Sequence, residues 1–226
     1  MSNLVCIIPV SDLRNAKSRL SSFLSNSERE ELLKKMLLDI VSNVSKQVDS
    51  ILLVSKDEKI KNFCEKNSLI FIREAEHSND FLNNAIVDAI NVVRSDFPEN
   101  DILILPSDIP LITEEIINDV KSKSSDLVIS PSCGGGTNLL CFRNNFDFKP
   151  LFGDKSFFNH LKEAENLKMN VNILDSFFLS LDVNIPNDLG EILLHGRNTC
   201  TYTYLSSIGV CVEVCHDVER LYVRRV

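Results

Sequence analysis

The segment Asp101-Ile-Leu-Ile-Leu-Pro-Ser-Asp-Ile-Pro-Leu111 constrains the fold more than any other stretch of the chain. Ile102 to Leu105 is an unbroken aliphatic run, which suits a central parallel strand buried on both faces. Pro106 ends that run, Ser107 and Asp108 fall where strand meets turn, and Pro110 stiffens the exit. Thr113 can then cap a helix beginning Glu114-Glu115-Ile116-Ile117. In open α/β sheets, ligands bind at the carboxyl ends of the strands. Asp108 is therefore expected as a carboxylate held at the binding edge by a rigid support. A side chain that merely closes an Asx turn is the plain alternative.

The residues before this segment repeat its logic. Leu4 to Val10 reads as a first strand, Ile51 to Val54 as a second and Leu69 to Ile72 as a third. Between them lie helical patterns. Ser27-Glu-Arg-Glu30 reads as a capping box, followed by Leu32, Leu33, Met36, Leu37, Ile40, Val41 and Val44 at helical spacing. Glu58 to Asn67 reads as a second helix, and Phe81 to Arg94 as a third, with Leu82, Ala85, Ile86, Ala89, Ile90 and Val93 on one face. Alternating strands and helices from Leu4 to Val120 indicate βαβ units, hence an α/β fold with a largely parallel sheet and helices on both faces.

After Ser125 the pattern changes. Leu127 to Ser130 and Leu139 to Phe142 read as a hairpin-like pair around the glycine loop Cys133-Gly-Gly-Gly-Thr-Asn138, where backbone N–H groups can approach an anion closely. Phe152-Gly-Asp-Lys-Ser156 leads into a helix over 157–167, with Ser156 as its expected N-cap and a place for a carboxylate or phosphate. Val171 to Leu174 and Phe177 to Leu181 read as strands. The second would place Asp182 just past a hydrophobic strand, as Asp108 is. Ile185-Pro-Asn-Asp-Leu189 opens another helix, with Asp188 as partner to its dipole. The segment 196–226 is expected to carry a short helix and one alternating strand, Val210-Cys-Val-Glu-Val214. No repeat, linker or low-complexity stretch interrupts 1–226, so one domain with a C-terminal extension is the economical reading.

Several function classes are disfavoured. The first strand ends in Pro9-Val10, not in a glycine fingerprint, and no Gly-x-x-x-x-Gly-Lys-Ser/Thr loop occurs. A net charge of −8 argues against a nucleic-acid partner. No apolar run approaches the ~20 residues of a membrane span, and the first residues lack a basic leader. Seven cysteines with no Cys-x-x-Cys pair read as reduced side chains of a cytoplasmic protein. Cys200, Cys211, Cys215 and His216 fit no standard zinc spacing.

What remains points to phosphoryl chemistry. Ser11-Asp-Leu-Arg-Asn-Ala-Lys-Ser-Arg-Leu20 brings Arg14, Lys17 and Arg19 to the end of the first strand, where a triphosphate could be held. A solvated charged turn is the ordinary reading of such a loop. Two aspartates at the sheet edge supply hard oxygen ligands of the kind that bridge Mg2+ to substrate phosphates. Nucleotidyl transfer needs a phosphorus made electrophilic and a diphosphate whose leaving charge is neutralised. It needs no covalent nucleophile, and His77, His160, His195 and His216 lie in no recognisable triad.

These residues resemble a known family. Ile8-Pro-Val-Ser-Asp-Leu-Arg-Asn-Ala-Lys-Ser-Arg-Leu20 is similar to the opening motif of the 2-phospho-L-lactate guanylyltransferases. Pro106-Ser-Asp-Ile-Pro-Leu111, Gly134-Gly-Gly-Thr-Asn138, Phe152-Gly-x-x-Ser-Phe157 with His160, and Leu181-Asp-Val-Asn-x-Pro-x-Asp-Leu189 are similar to later motifs in the same order. The resemblance spans about residues 4 to 195. It implies a nucleotidyltransferase fold with a Rossmann-like mixed sheet. It also implies condensation of GTP with a phosphorylated three-carbon acid in coenzyme F(420) biosynthesis. Carried over by position, Asp108 and Asp182 would hold Mg2+. Arg14, Lys17 and Arg19 would face the triphosphate, with Lys17 also near the acceptor, and Ser107 would bind the nucleotide. Thr137, Gly153 and Ser156 match positions that grip the acceptor acid. Leu82-Asn83 matches a pair near the base, with Phe81 standing where the family usually has glycine. The segment after Gly196 would serve contacts in a homodimer. A nucleotidyltransferase for another phosphorylated acceptor, and a nucleotide-binding protein without catalysis, are the alternatives.

Overall fold

The computed structural model describes residues 3–214 and 221–225. β1 (Leu4–Pro9) is followed by two short 3-10 turns (Leu13–Asn15 and Ser18–Leu20) and α1 (Asn26–Val44). Then come β2 (Ser50–Ser55), α2 (Glu58–Asn67), β3 (Ile70–Arg73), α3 (Phe81–Asp96), β4 (Asp101–Ile104) and α4 (Glu114–Ser122). The second half holds β5 (Leu127–Pro131), β6 (Thr137–Phe142), α5 (Ser156–Asn166), β7 (Val171–Ile173), α6 (Phe177–Ser180) and α7 (Pro186–His195). It closes with α8 (Cys200–Ser207), β8 (Val210–Val214) and β9 (Leu221–Arg225).

The first seven strands form one sheet in the order β3-β2-β1-β4-β6-β5-β7. β1 runs parallel to β2 and β4, with Leu4 opposite Asp101 and Ile7 opposite Ile104. β6 is antiparallel to both β4 and β5, so the sheet is mixed and mostly parallel, and the expected pair around the glycine loop is present. Strand side chains alternate between two cores. Leu4, Cys6, Ile8, Leu103 and Leu105 pack on the face covered by α1, α2, α4, α7 and α8. Val5, Ile7, Ile102, Ile104, Leu140 and Phe142 pack on the opposite face with Ala85, Ile86, Ala89, Ile90 and Val93 of α3 and Ala164 of α5. Apolar residues on both faces explain why β1 and β4 read as continuous aliphatic runs.

α1 begins earlier than its expected cap. Ser25, not Ser27, is the N-cap: its hydroxyl accepts from Glu28 N–H, and Glu28 Oε2 accepts from Ser25 N–H at 2.8 Å. Ser25 and Ser27 both stand three residues before a glutamate, so local spacing could not separate them. Leu24, buried immediately before Ser25, fixes where the helix enters.

Phe177–Ser180 is one turn of helix, not the expected strand. Ser180 N–H donates to Ser176 O at 2.9 Å, and Asn138 Nδ2 donates to Leu179 O at 2.7 Å. A five-residue run of four apolar side chains and Ser180 carries no periodicity that separates strand from helix. Here a side chain of β6 takes the backbone carbonyl that a strand would have offered to a neighbour. The C-terminal part holds two strands where one was expected, because β9 pairs antiparallel with β8. This hairpin rests on α7. A Cβ at Gly190 would meet Val223 Cγ2 at 2.9 Å, so only glycine allows that approach. Cys215 and His216 lie outside the described residues.

Candidate active site

Asp108 follows β4, and Lys17 lies in the loop after β1, the adjacent strand. Lys17 Nζ and Asp108 Oδ2 form a direct ion pair, with side chains only 10% and 17% exposed respectively. Lys17 adopts the left-handed conformation, φ 53°. For a residue with a Cβ this costs on the order of 1 kcal/mol, and such strain concentrates at functional sites.

The second aspartate arrives by another route. Asp182 follows the α6 turn, so it does not sit past a strand, and its placement rests on the loop between α6 and α7. Val183 N–H donates to Asp108 O at 3.0 Å, stitching this loop to the end of β4. Asn184 then bridges the acids: its Oδ1 accepts from Lys17 Nζ at 3.4 Å, and its Nδ2 donates to Asp182 Oδ2. Asn138 Nδ2 donates to Asp182 Oδ1 at 3.2 Å. Asp188 accepts from the N–H groups of Asn184 and Ile185 at 2.6 and 2.8 Å and so fixes the loop as α7 begins. Burial holds the Asp188 carboxyl above its ordinary range, opposed by those two bonds and by Lys17. The expected helix-dipole role of Asp188 is thereby joined to a role in shaping the site.

Asp108 Oδ1 is buried and has no hydrogen-bond partner among the described residues. A buried unpaired carboxylate oxygen is costly unless something completes it. Asp182, bonded only to neutral amides in this cluster, offers a second hard oxygen donor. This donor set fits Mg2+, which takes one or two protein carboxylates and fills its remaining positions with water and phosphate. Among the described residues no group of three or more His, Cys, Asp or Glu could form an all-protein metal cage.

Two cavities meet at this point. The larger, about 440 Å3, lies over the carboxyl ends of the strands, with Pro9, Val10, Val54, Leu82, Ile104 and Phe152 in its walls. The smaller, about 180 Å3, is polar and is lined by Lys17, Arg19, Ser18 and Asn184 among others. Ser11, Ser107 and Asp108 belong to both. Arg14 stands outside: its side chain is 77% exposed and lies 3.6 Å from Asp12. The basic loop thus brings Lys17 and Arg19 together, while Arg14 faces solvent.

Asn83 does not point into open space. Its Oδ1 accepts from Phe152 N–H at 2.8 Å, and its Nδ2 donates to Phe152 O at 3.0 Å and to Asp80 Oδ1 at 2.8 Å. Both edges of the amide clamp the 151–153 segment against the start of α3, while the neighbouring Leu82 lines the cavity.

Thr137 and Ser156 are both buried, and their hydroxyl oxygens lie 3.1 Å apart. Ser156 is the first residue of α5 and not its cap; that position belongs to Lys155 in the left-handed conformation. Gly153, φ 125°, accepts the Ser156 N–H at 3.1 Å. Behind them His160 is fully buried. Its Nε2 accepts from Leu151 N–H at 2.8 Å, which leaves the proton on Nδ1 to be donated to Thr137 Oγ1 at 2.9 Å. Burial depresses the His160 pKa to about 4, so the ring is neutral near pH 7. Thr137 Oγ1 thus accepts from His160 and shares a second hydrogen bond with the Ser156 hydroxyl. Within the glycine loop, Gly135 N–H donates to Ser132 O at 3.0 Å and Gly136 N–H to Ser132 Oγ at 2.9 Å. Those two donors shape the turn and are not open to a ligand.

Asn138, Asn184 and His160 lie within the family-like motifs, where nothing in their residue type marks a role. Their signal was position alone, beside residues whose chemistry was clearer. Glu74, in the wall of the larger cavity, carried no signal at all.

The chain matches the family model described as guanylyl transferase CofC like over residues 4–226. It is 52% identical to the 2-phospho-L-lactate guanylyltransferase of Methanosphaera stadtmanae over 225 residues, covering 100% of this chain and 99% of that protein. Against the enzyme of the same name from Methanocaldococcus jannaschii it is 42% identical, covering 97% and 96%. Among solved structures, a putative nucleotide-diphospho-sugar transferase from Desulfovibrio desulfuricans aligns with a TM-score of 0.73 at 18% identity, covering 92% of this chain and 95% of that one. A nucleotidyl transferase from Methanothermobacter aligns at 0.56 with 12% identity, covering 92% and 100%, and shares the fold alone. The mixed sheet and the match that runs from β1 to the C-terminal residue agree: the chain belongs to the guanylyl transferase CofC like family.

Proposed function

We propose that the protein joins GTP to 2-phospho-L-lactate, or to a similar phosphorylated three-carbon acid such as phosphoenolpyruvate, and releases diphosphate in the biosynthesis of coenzyme F(420). The observation that carries this reading is the Lys17–Asp108 pair with its unpartnered buried oxygen, set where a polar and an apolar cavity meet. An apolar cavity suits a base, and a polar cavity lined by Lys17 and Arg19 suits phosphates.

In this reading the acceptor's phosphate oxygen attacks the α-phosphorus of GTP. The new P–O bond forms as the α–β bridging P–O bond breaks, and its electron pair leaves with diphosphate. The attacking oxygen is already ionised at neutral pH, so no general base is required. Lys17 orients and neutralises the α-phosphate and Arg19 faces the departing phosphates, while Arg14, exposed to solvent outside both cavities, takes no part. Asp108 and Asp182 would hold Mg2+, which when bound neutralises charge on the phosphates. Thr137, Gly153 and Ser156 would orient the acid, their hydroxyls aligned by His160. Asn83 holds the segment that carries Gly153 in place.

The working form is taken to be a cytoplasmic homodimer, in keeping with the free cysteines among the described residues and with exposed Phe177, Phe178 and Leu194. No helix among the described residues is long and apolar enough to cross a membrane. The test is incubation with GTP, Mg2+ and, in turn, 2-phospho-L-lactate, phosphoenolpyruvate and 3-phosphoglycerate, reading diphosphate release. Turnover with one acid and GTP supports the assignment. Release with no pairing of GTP and an acid overturns it.

A further inference from the structure

The larger cavity is walled mainly by apolar side chains, and three carboxylates reach it: Asp12, Glu74 and Asp108. Two have other work. Asp108 belongs to the phosphate end, paired with Lys17. Asp12 Oδ1 accepts from Arg14 N–H at 2.8 Å and closes the turn after β1. Glu74 closes no turn with its side chain. It is the first residue after β3, and its N–H donates to Ser55 O at 3.1 Å, which extends the sheet and fixes its backbone. Its side chain is 17% exposed, and its one ionic neighbour among the described residues is Lys56, with Nζ 3.4 Å from Oε1. The same ammonium lies 5.0 Å from the centre of the Phe81 ring. Phe81 is 51% exposed and forms another wall of the cavity.

The sheet order fixes how far Glu74 stands from the chemistry. From β3 to β4 there are three inter-strand steps, about 14 Å at the usual ~4.8 Å spacing. That is of the order of a nucleoside's length. A nucleotide with its phosphates at Lys17 and Asp108 and its base in the apolar cavity would turn its far edge towards Glu74. The chemistry of that edge differs among bases. Guanine presents two parallel donors, N1–H and the 2-amino group, and a carboxylate is an acceptor-only group with two oxygens to receive them. Adenine presents the N1 lone pair there, and xanthine a carbonyl in place of the amine. Either would set lone pairs against a largely buried carboxylate and leave it unpaired.

We infer that Glu74 selects the base in this site, accepting the N1–H and 2-amino hydrogens of guanine while Phe81 and Leu82 cover the ring. This rests on the guanylyl-transfer reading above. An ion pair with Lys56 alone would give Glu74 no influence on which purine is used.

The test compares GTP, XTP and ITP as substrates of the full-length protein and of Glu74→Gln, with the thermal midpoint as a check on folding. In Glu74→Gln the side-chain oxygen can still accept N1–H, and the amide can donate to the xanthine carbonyl. The wild-type protein should favour GTP over XTP in kcat/KM by about 100-fold. Glu74→Gln should lose about 100-fold with GTP, gain with XTP and make XTP the better substrate, with KM for the acid changed less than threefold. Glu74→Ala should bring GTP and ITP to within about threefold of each other. Equilibrium binding of the same nucleotides without the acid should follow the same order. A GTP-to-XTP ratio unchanged in folded Glu74→Gln overturns the base-selecting role and leaves guanylyl transfer standing. A wild-type protein that uses no GTP overturns guanylyl transfer and the inference with it.

Discussion

Asp108 is the side chain with the least balanced surroundings in the site. One oxygen is tied to Lys17 and the other is buried without a partner among the described residues. Asp108→Asn would remove the charge that both Lys17 and a metal need, and Asp182→Asn would remove the second hard donor. Each is expected to lower turnover by at least about 100-fold, about 2.7 kcal/mol of lost transition-state stabilisation. Asp108 follows β4 and Asp182 lies in the loop between α6 and α7, both outside the hydrophobic cores, so the thermal midpoint should move by only a few degrees. Near-normal diphosphate release from either folded variant would sink the two-aspartate site. The hydroxyl pair makes a separate claim. Thr137→Val and Ser156→Ala should each raise KM for the acid roughly tenfold, about 1.4 kcal/mol, and change KM for GTP far less. If GTP binding weakens instead, the glycine loop serves the nucleotide. Residues such as Asp108 and Lys17 could be picked from the sequence because the end of a strand is a local property. Asn138 and Asn184 could not. Their value lies in meeting Asp182, and Asn138 stands 44 residues from it in sequence.

At the scale of elements, the helices with wide apolar faces were readable in advance, α1 above all, since seven of its buried positions follow a 3.6-residue repeat. The sequence pattern had no means of showing why one charged residue, Asp39, lies buried within that face. Asp39 receives Cys200 N–H at 2.6 Å, Thr201 N–H at 2.8 Å and the Thr201 hydroxyl at 2.6 Å. A carboxylate on α1 therefore caps the start of α8 from 161 residues away and anchors the C-terminal part to the main sheet. Asp39→Ala would leave buried donors unpaired at a helix N-terminus, at about 2–3 kcal/mol. At 2–4 °C per kcal/mol for a chain of this size, the thermal midpoint should fall by about 5–10 °C. A midpoint within about 1 °C of wild type would show that α8 is held by packing alone. The misread element, α6, shows the converse limit. Phe177 to Leu181 has a strand's composition, but its backbone carbonyl at Leu179 is taken by Asn138 and its two phenylalanines are exposed. A run that short is decided by its neighbours.

For the whole molecule, the alternation of elements implies a largely parallel sheet and the family resemblance a mixed one, while the position of β6 between β4 and β5 follows from neither, because strand order beyond the first crossover is not written in any local pattern. That placement sets Thr137, at the start of β6, against His160 of α5 and gives the fold a response to acid. His160 has its folded pKa lowered to about 4 by burial, against an ordinary value of 6.5. Between those values the unfolded chain binds more protons than the folded one, so stability rises with pH through this window and is fully present above about 6.5. Protonation would also force Nε2 to give up the Leu151 N–H it accepts. At pH 5 the linkage amounts to about 2 kcal/mol of lost stability. Glu28, held down to about 2 first by its bond to Arg225, contributes in the opposite chemical sense but the same direction, and only as pH falls from about 4.5 towards 2. The two windows are separable. Unfolding free energies from urea titrations of the wild-type protein at pH 7.5 and pH 5 should differ by about 2 kcal/mol more than those of His160→Gln, whose amide can accept from Leu151 and donate to Thr137 without titrating. Equal pH dependence in the two proteins would mean that His160 is not the group through which mild acid weakens this fold.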